Sequence, residues 1–211
     1  MLDDETVHVA IILKGVGRGN EKSVQLLRQF VTLYKSIIEQ SSVEKLSFII
    51  LTDQKSVPFL HRLLARFGMA DVKKKSSEDE AKISYQFVDT EAIGHRYVKL
   101  IFELRPFFSA QVESKSNKYQ DDLFMLALFY HRIFRINKLI VLDADLKFRM
   151  DIAELYGLFR NFSPDQIMGV GLDLAPHYRF AFEKYRSENP GTLVGEPGRF
   201  QVCHSIQTFT I

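Results

Sequence analysis

The apolar residues of this chain fall into short runs separated by helical stripes. Val7 to Leu13 is a nearly unbroken apolar run with His8 near its start, and it predicts a first buried strand. Lys14 to Asn20 is glycine-rich and turns the chain. Asn20 is a good helix cap, and Val24, Leu27, Val31, Tyr34 and Ile38 recur at helical spacing through about Gln40. Leu46 to Leu51 predicts a second strand, closed by Thr52 and Asp53. A second helix follows, with Val57, Leu60, Leu64 and Phe67 inward and Gly68 as its C-terminal cap. Asp71 to Ala81 is charged and reads as a surface loop, and Lys82 to Val88 alternates as a third strand. Tyr119 to Arg135 predicts a helix with Leu123, Leu126, Tyr130, Ile133 and Phe134 on one side. The run Leu139 to Leu142 is a further buried strand. Asp151 caps the next helix, with Glu154 placed as in a capping box, and Gln166 to Leu172 reads as another strand.

Strands alternating with helices predict an α/β fold with a mainly parallel sheet and flanking helices. Ligands of such sheets bind at the carboxyl ends of the strands. Three segments are expected at that edge: Lys14-Gly15, Thr52-Asp53 and Asp143-Ala144-Asp145. Asp143 and Asp145 follow their strand directly, and at period two they project to one side. Two carboxylates so placed repel unless a cation or hydrogen-bond donors offset their charge. A hard divalent ion, manganese or magnesium, suits oxygen ligands, and that ion in turn suits a diphosphate. The residues therefore point to metal-assisted chemistry on a phosphorylated donor.

Composition narrows the classes without naming one. With 211 residues, 46% of them hydrophobic, the chain is long enough for one domain with a real core. A formal charge of only +2 gives no case for a nucleic-acid surface. The single cysteine, Cys203, excludes an internal disulfide. No apolar run approaches the ~20 residues of a membrane span. The start, Met1-Leu2-Asp3-Asp4-Glu5, lacks a signal-peptide pattern.

Two rival readings rank lower. Gly15-Val16-Gly17-Arg18-Gly19-Asn20 resembles the dinucleotide fingerprint, but Asn20 stands where the last glycine belongs. The next strand-end acid, Asp53, lies much too far along for the ribose acid, which belongs about 20 residues on. Asp143-Ala144-Asp145 also resembles the nucleophile and acid of a haloacid-dehalogenase-like phosphatase. That family carries its motif on the first strand, followed by Thr or Val, whereas here it comes late and precedes Leu146-Lys147.

The assembled segments resemble a GT-A glycosyltransferase of family 8. They run from Lys118 through the acids Asp121 and Asp122 to Ile133, then from Leu139 to Phe148 and from Asp151 to Tyr156. Gly171 to Arg179, and Tyr185-Arg186 through Pro190-Gly191 to Gly195-Glu196-Pro197, are similar to the xyloside alpha-1,3-xylosyltransferase branch. The resemblance implies a retaining enzyme that transfers xylose from UDP-xylose to a xylosyl-glucose O-glycan on EGF repeats of Notch, in the endoplasmic reticulum. It implies that Asp143 contacts the donor ribose or the metal, that Asp145 ligates manganese (or magnesium), and that Ala144 lies against the donor. Lys14, Gly15, Thr52 and Asp53 would border the uridine. Asp121 or Asp122 would orient the sugar, unless they are helix-start acids favoured by the helix dipole. Arg96 and Lys99 are candidates for diphosphate contact, with solvated surface charge as the alternative. His95, His131 and His177 are expected to be ordinary structural or surface histidines. No catalytic base or nucleophile is named.

The resemblance implies residues 1–197 as the N-terminal part of a GT-A domain and 198–211 as a divergent tail. After Pro197 the family continues to a Phe-Asn-Ser-Gly-Val type segment, and a later His supplies the third metal ligand. Gly198 to Ile211 matches neither, His204 included, so a C-terminally incomplete domain without the family's membrane anchor is expected. The alternative function is a non-catalytic nucleotide-sugar-binding remnant.

Overall fold

The computed structural model describes residues 6–17, 19–71, 82–109, 126–166, 168–170, 183–192 and 206–210. The described strands form one seven-stranded sheet. They are β1 (Val7–Ile12), β2 (Leu46–Thr52), β3 (Ala70–Asp71), β4 (Ile83–Asp89), β5 (Lys138–Leu142), β6 (Met168–Val170) and β7 (Ile206–Thr210). Their order is β3-β4-β2-β1-β5-β7-β6. The pairs from β3 to β5 are parallel, and β7 runs antiparallel to both β5 and β6.

Alternation within the strands builds two cores, one on each face. Val7, Val9, Ile11 and Leu13 point to one side, with Leu46, Phe48 and Ile50 of β2 and Ile140 and Leu142 of β5. That face is covered by α1 (Glu21–Gln40), α2 (Val57–Arg66) and α5 (Ile152–Gly157). Ala10, Ile49, Leu51 and Leu139 face the other way. They pack under α3 (Thr90–Ser109) and the short α4 (Tyr130–Ile133), which contribute Ile101 and Tyr130. The sheet is thus buried on both faces, as parallel strands require.

Local signals hold the helix ends. Asn20 Oδ1 accepts the Ser23 amide at 2.9 Å and caps α1. Gly68 adopts φ 71° just beyond α2, where its amide closes on the Ala65 carbonyl at 3.0 Å. Asp151 caps α5 through the Ala153 amide at 2.9 Å. Its second oxygen accepts the Ser42 amide at 2.9 Å, which ties the end of α1 to this corner.

Several sequence expectations change. The buried face of α1 is Phe30, Leu33, Tyr34 and Ile37, while Val24 is exposed and Leu27, Val31 and Ile38 only partly buried. Helix α3 has no counterpart in the sequence reading. Asp71 lies in β3 rather than a loop. The expected helix Tyr119 to Arg135 is described only from Leu126. Leu126 is helical, a 3-10 turn follows at Ala127–Phe129, and Tyr130–Ile133 is helical again, with Leu126, Tyr130 and Phe134 buried as expected. Of the expected strand Gln166 to Leu172, Met168–Val170 is strand, and residues 167, 171 and 172 lie outside the described residues. The tail contains an element after all: Ile206–Thr210 pairs with all five residues of β5.

Candidate functional site at the carboxyl edge of the sheet

The register brings the strand ends level. Ile11 pairs with Leu142, Ile12 with Leu51, and Thr52 with Asp89. The segments Lys14-Gly15, Thr52-Asp53, Asp89-Thr90 and Asp143-Ala144-Asp145 therefore leave the sheet at one edge. From β1 the order runs outward to β2 on one side and to β5 on the other. The gap between the β1 loop and the β5 end is thus the topological switch point, where open α/β sheets bind ligands.

At the β5 end the side chains alternate. Asp143 and Asp145 are exposed, whereas Ala144 between them is 8% exposed and sits in the core. Leu146 and Phe148 pack against the same core, and Lys147 is exposed. Burying every second residue turns both carboxylates outward together, as the spacing predicted. The Phe148 amide donates to buried Ser36 Oγ at 2.9 Å, which anchors this segment to α1. Beneath lies Tyr130, fully buried. Burial, and then the negative charge of Asp143, push its hydroxyl titration up.

The β1 and β2 ends differ in kind. Gly15 and Gly17 hold φ of 74° and 86°, the left-handed region that glycine enters without strain. Three side chains of the β2–α2 corner hold this loop. Thr52 Oγ1 donates to the Leu13 carbonyl at 2.6 Å. The Gly15 amide donates to Asp53 Oδ2 at 2.6 Å. Ser56 Oγ lies 2.8 Å from Asp53 Oδ2 and 3.1 Å from the Val16 carbonyl, so its single proton is shared between two acceptors. The Ser56 amide donates to Asp53 Oδ1 at 3.1 Å. Burial works to raise the Asp53 carboxyl, but the hydrogen bonds from Gly15 and Ser56 outweigh it and hold the group below the ordinary carboxylate value. Thr52 and Asp53 are 1% and 5% exposed, and Lys14 is exposed.

Other expected residues scatter. Arg96 and Lys99 are exposed on α3, with the Arg96 guanidinium 5.9 Å from the Tyr97 ring centroid. His95 is exposed and its Nδ1 lies 2.8 Å from the Glu91 carbonyl. His131 is half-buried at the end of α4. Asp121, Asp122, His177 and His204 lie outside the described residues. Sequence reasoning missed Ser56 and Asp89. Asp89 Oδ2 accepts from Gln54 Nε2 at 2.6 Å, and Oδ1 accepts the Glu91 amide at 2.9 Å. The Gln54 bond, with the Glu91 and Ala92 amides, holds its carboxyl low against burial. Asp89 was visible as the acid that ends an alternating run; Ser56 carried only the signal of a serine before Pro58.

No family model matches the chain. Over 113 residues, 53% of the chain, it is 34% identical to "Xyloside xylosyltransferase 1" of Mus musculus, and to the Homo sapiens protein of the same name to the same extent. That stretch spans only 28% of either relative's length. The solved apo structure of mouse xyloside xylosyltransferase 1 superposes with TM-score 0.76 at 22% identity, covering 98% of this chain and 67% of that one. The galactosyltransferase LgtC, solved with donor and acceptor sugar analogs, superposes with TM-score 0.53 at 13% identity, covering 97% and 58%. The fold is that of a GT-A glycosyltransferase. Over the aligned stretch the chain is a homologue of xyloside xylosyltransferase 1. In this GT-A frame the exposed acid pair and the glycine loop flank the same switch point.

Proposed function

We propose that this chain is the donor-binding part of a retaining glycosyltransferase. It takes xylose from UDP-xylose and delivers it to a xylosyl-glucose O-glycan on an EGF repeat, with the endoplasmic reticulum as its site of action. The observation that carries this reading is the outward-facing pair Asp143 and Asp145 at the end of β5, beside the β1 loop, in a GT-A fold homologous in part to xyloside xylosyltransferase 1.

The pair fits a hard divalent ion. It offers carboxylate oxygens at an exposed edge, and among the described residues no third His, Cys, Asp or Glu joins it. Magnesium is commonly held by one or two carboxylates plus substrate phosphates and water, so two protein ligands suffice when a diphosphate completes the shell. Asp143 and Asp145 would hold manganese or magnesium, which when bound would neutralise charge developing on the UDP leaving group. Lys14, exposed just past the end of the neighbouring strand β1, is a further cation for the diphosphate. Ala144, buried between the two acids, is assigned to the donor from the resemblance alone. Asp122 is assigned to sugar orientation from the resemblance alone. Among the described residues no helix is long and apolar enough to cross a membrane.

The test is transfer itself. Purified protein is incubated with a xylosyl-glucose EGF-repeat glycopeptide, manganese, and UDP-xylose, UDP-glucose or UDP-galactose in turn, and the product is weighed by mass spectrometry. Addition of one pentose from UDP-xylose alone is expected. Addition of a hexose, or release of phosphate without transfer, would refute the assignment.

A further inference from the structure

The corner between β2 and α2 grips the glycine loop at three backbone positions within four residues. Thr52 takes the Leu13 carbonyl, Asp53 takes the Gly15 amide, and Ser56 takes the Val16 carbonyl. These side chains are spent on one another and on the loop. The Asp53 carboxylate accepts from two backbone amides and one hydroxyl. Ser56 is 0% exposed and Thr52 1% exposed. A group so buried has no face to offer a ligand.

A glycine-rich loop loses the most conformational freedom on taking one shape. Gly15 and Gly17 sit at positive φ, where glycine keeps the most freedom to leave. Val16, between them, is 2% exposed and plugs into the core, while Lys14 and Gly17 face outward. The inner side of the loop is thus fastened, and its outer side is presented at the switch point.

We propose that Thr52, Asp53 and Ser56 are positioning residues for the nucleotide-sugar donor: they touch no donor atom and act by fixing residues 13–17 in the shape that receives it. This rests on the glycosyltransferase reading above. It changes the expected roles of Thr52 and Asp53 from donor contacts to a clasp, and it adds Ser56, for which no role was expected. A ligand that meets a loop already in its bound shape avoids the cost of ordering it, so loosening the clasp weakens binding at a distance.

The experiment titrates UDP with manganese into the full chain and its variants by calorimetry. In parallel, amide hydrogen exchange is followed at Gly15 and Gly17 without ligand. Ser56→Ala and Thr52→Val each remove one grip, and each is expected to weaken UDP about fivefold to tenfold, the scale of one buried hydrogen bond. Exchange at Gly15 should quicken in both. Thr52→Ser keeps the hydroxyl and should bind as the wild type does. Leu64→Ala, a core truncation in α2, controls for stability and should leave UDP affinity unchanged at a temperature where it is folded.

Faster exchange with unchanged affinity would overturn the proposal, since the clasp would then serve only the fold. Weaker binding with unchanged exchange would overturn it in favour of direct contact. Equal weakening in Leu64→Ala would also overturn it. Absence of UDP binding in the wild type would instead refute the functional reading on which it stands, and the clasp's role would fall with it.

Discussion

Two acidic corners meet at one edge of this sheet, and they are built in opposite ways. Asp53 is 5% exposed and surrounded by donors from its own chain. Asp143 and Asp145 stand exposed on either side of a buried alanine. Each ends a β-strand in a parallel sheet, so position alone does not separate them. What separates them is burial. The β2 end turns at once into α2 and folds back on the glycine loop. The β5 end continues as an alternating segment that keeps its carboxylates outward. The first corner turns its carboxylate inward, and the second carries its carboxylates at the exposed edge.

Substitution should break the two corners differently. Asp53→Ala strands the Gly15 amide and the Ser56 amide and hydroxyl, and is expected to cost about 2–3 kcal/mol in urea unfolding. Gly17→Ala forces a side chain to φ 86° with its Cβ 3.3 Å from Phe59, for an expected loss of about 1–2 kcal/mol in the same measurement. Acid should tell the corners apart more gently. The Asp53 carboxyl titrates below its unfolded value, so its stabilisation is present above the ordinary carboxylate pKa and fades as pH falls through the folded value. Unfolding followed from neutral pH into that acid range should therefore be steeper for the wild type than for Asp53→Asn. Asp145→Asn should change stability least, within about 0.5 kcal/mol, because it alters an exposed group outside the core. A large loss there would show that the second corner is scaffold too.

The strands were the legible part of the fold, because a strand buried on both faces is written as a plain apolar run. Val7–Ile12, Leu46–Thr52 and Lys138–Leu142 lie within a residue of their expected bounds. Helix α1 was legible in extent but not in rotation, since it carries two apolar stripes. The one that packs holds the aromatics: Tyr34 stacks on Phe67 at 4.8 Å and meets Phe48 at 5.9 Å, and the sheet takes the larger rings. Helix α3 escaped notice because its sequence contains Gly94 and Pro106, poor helix formers, and Val98 and Phe102 lie outward, 61% and 74% exposed, which blurs the stripe Ile93, Tyr97, Ile101. The two residues of β3 are too few to make a pattern. In the tail, Ile206–Thr210 is rich in β-branched and aromatic residues, a signal the resemblance to a family without this ending obscured.

At the site, the acid pair was legible because an apolar run feeds directly into it. The clasp was not. Gly15 and Asp53 are separated by 38 residues, and only the parallel pairing of β1 with β2 brings them together. An aspartate at a strand end looks the same in sequence whether its oxygens face a ligand or a neighbouring turn.

The most direct test of the central claim is calorimetric titration of UDP into the chain, with and without manganese, beside Asp145→Asn. The account predicts binding to the wild type that depends on manganese and is lost in the variant while the protein stays folded. Equal binding in the variant, or none in well-folded wild type, would contradict the assignment of this edge as a nucleotide-sugar site.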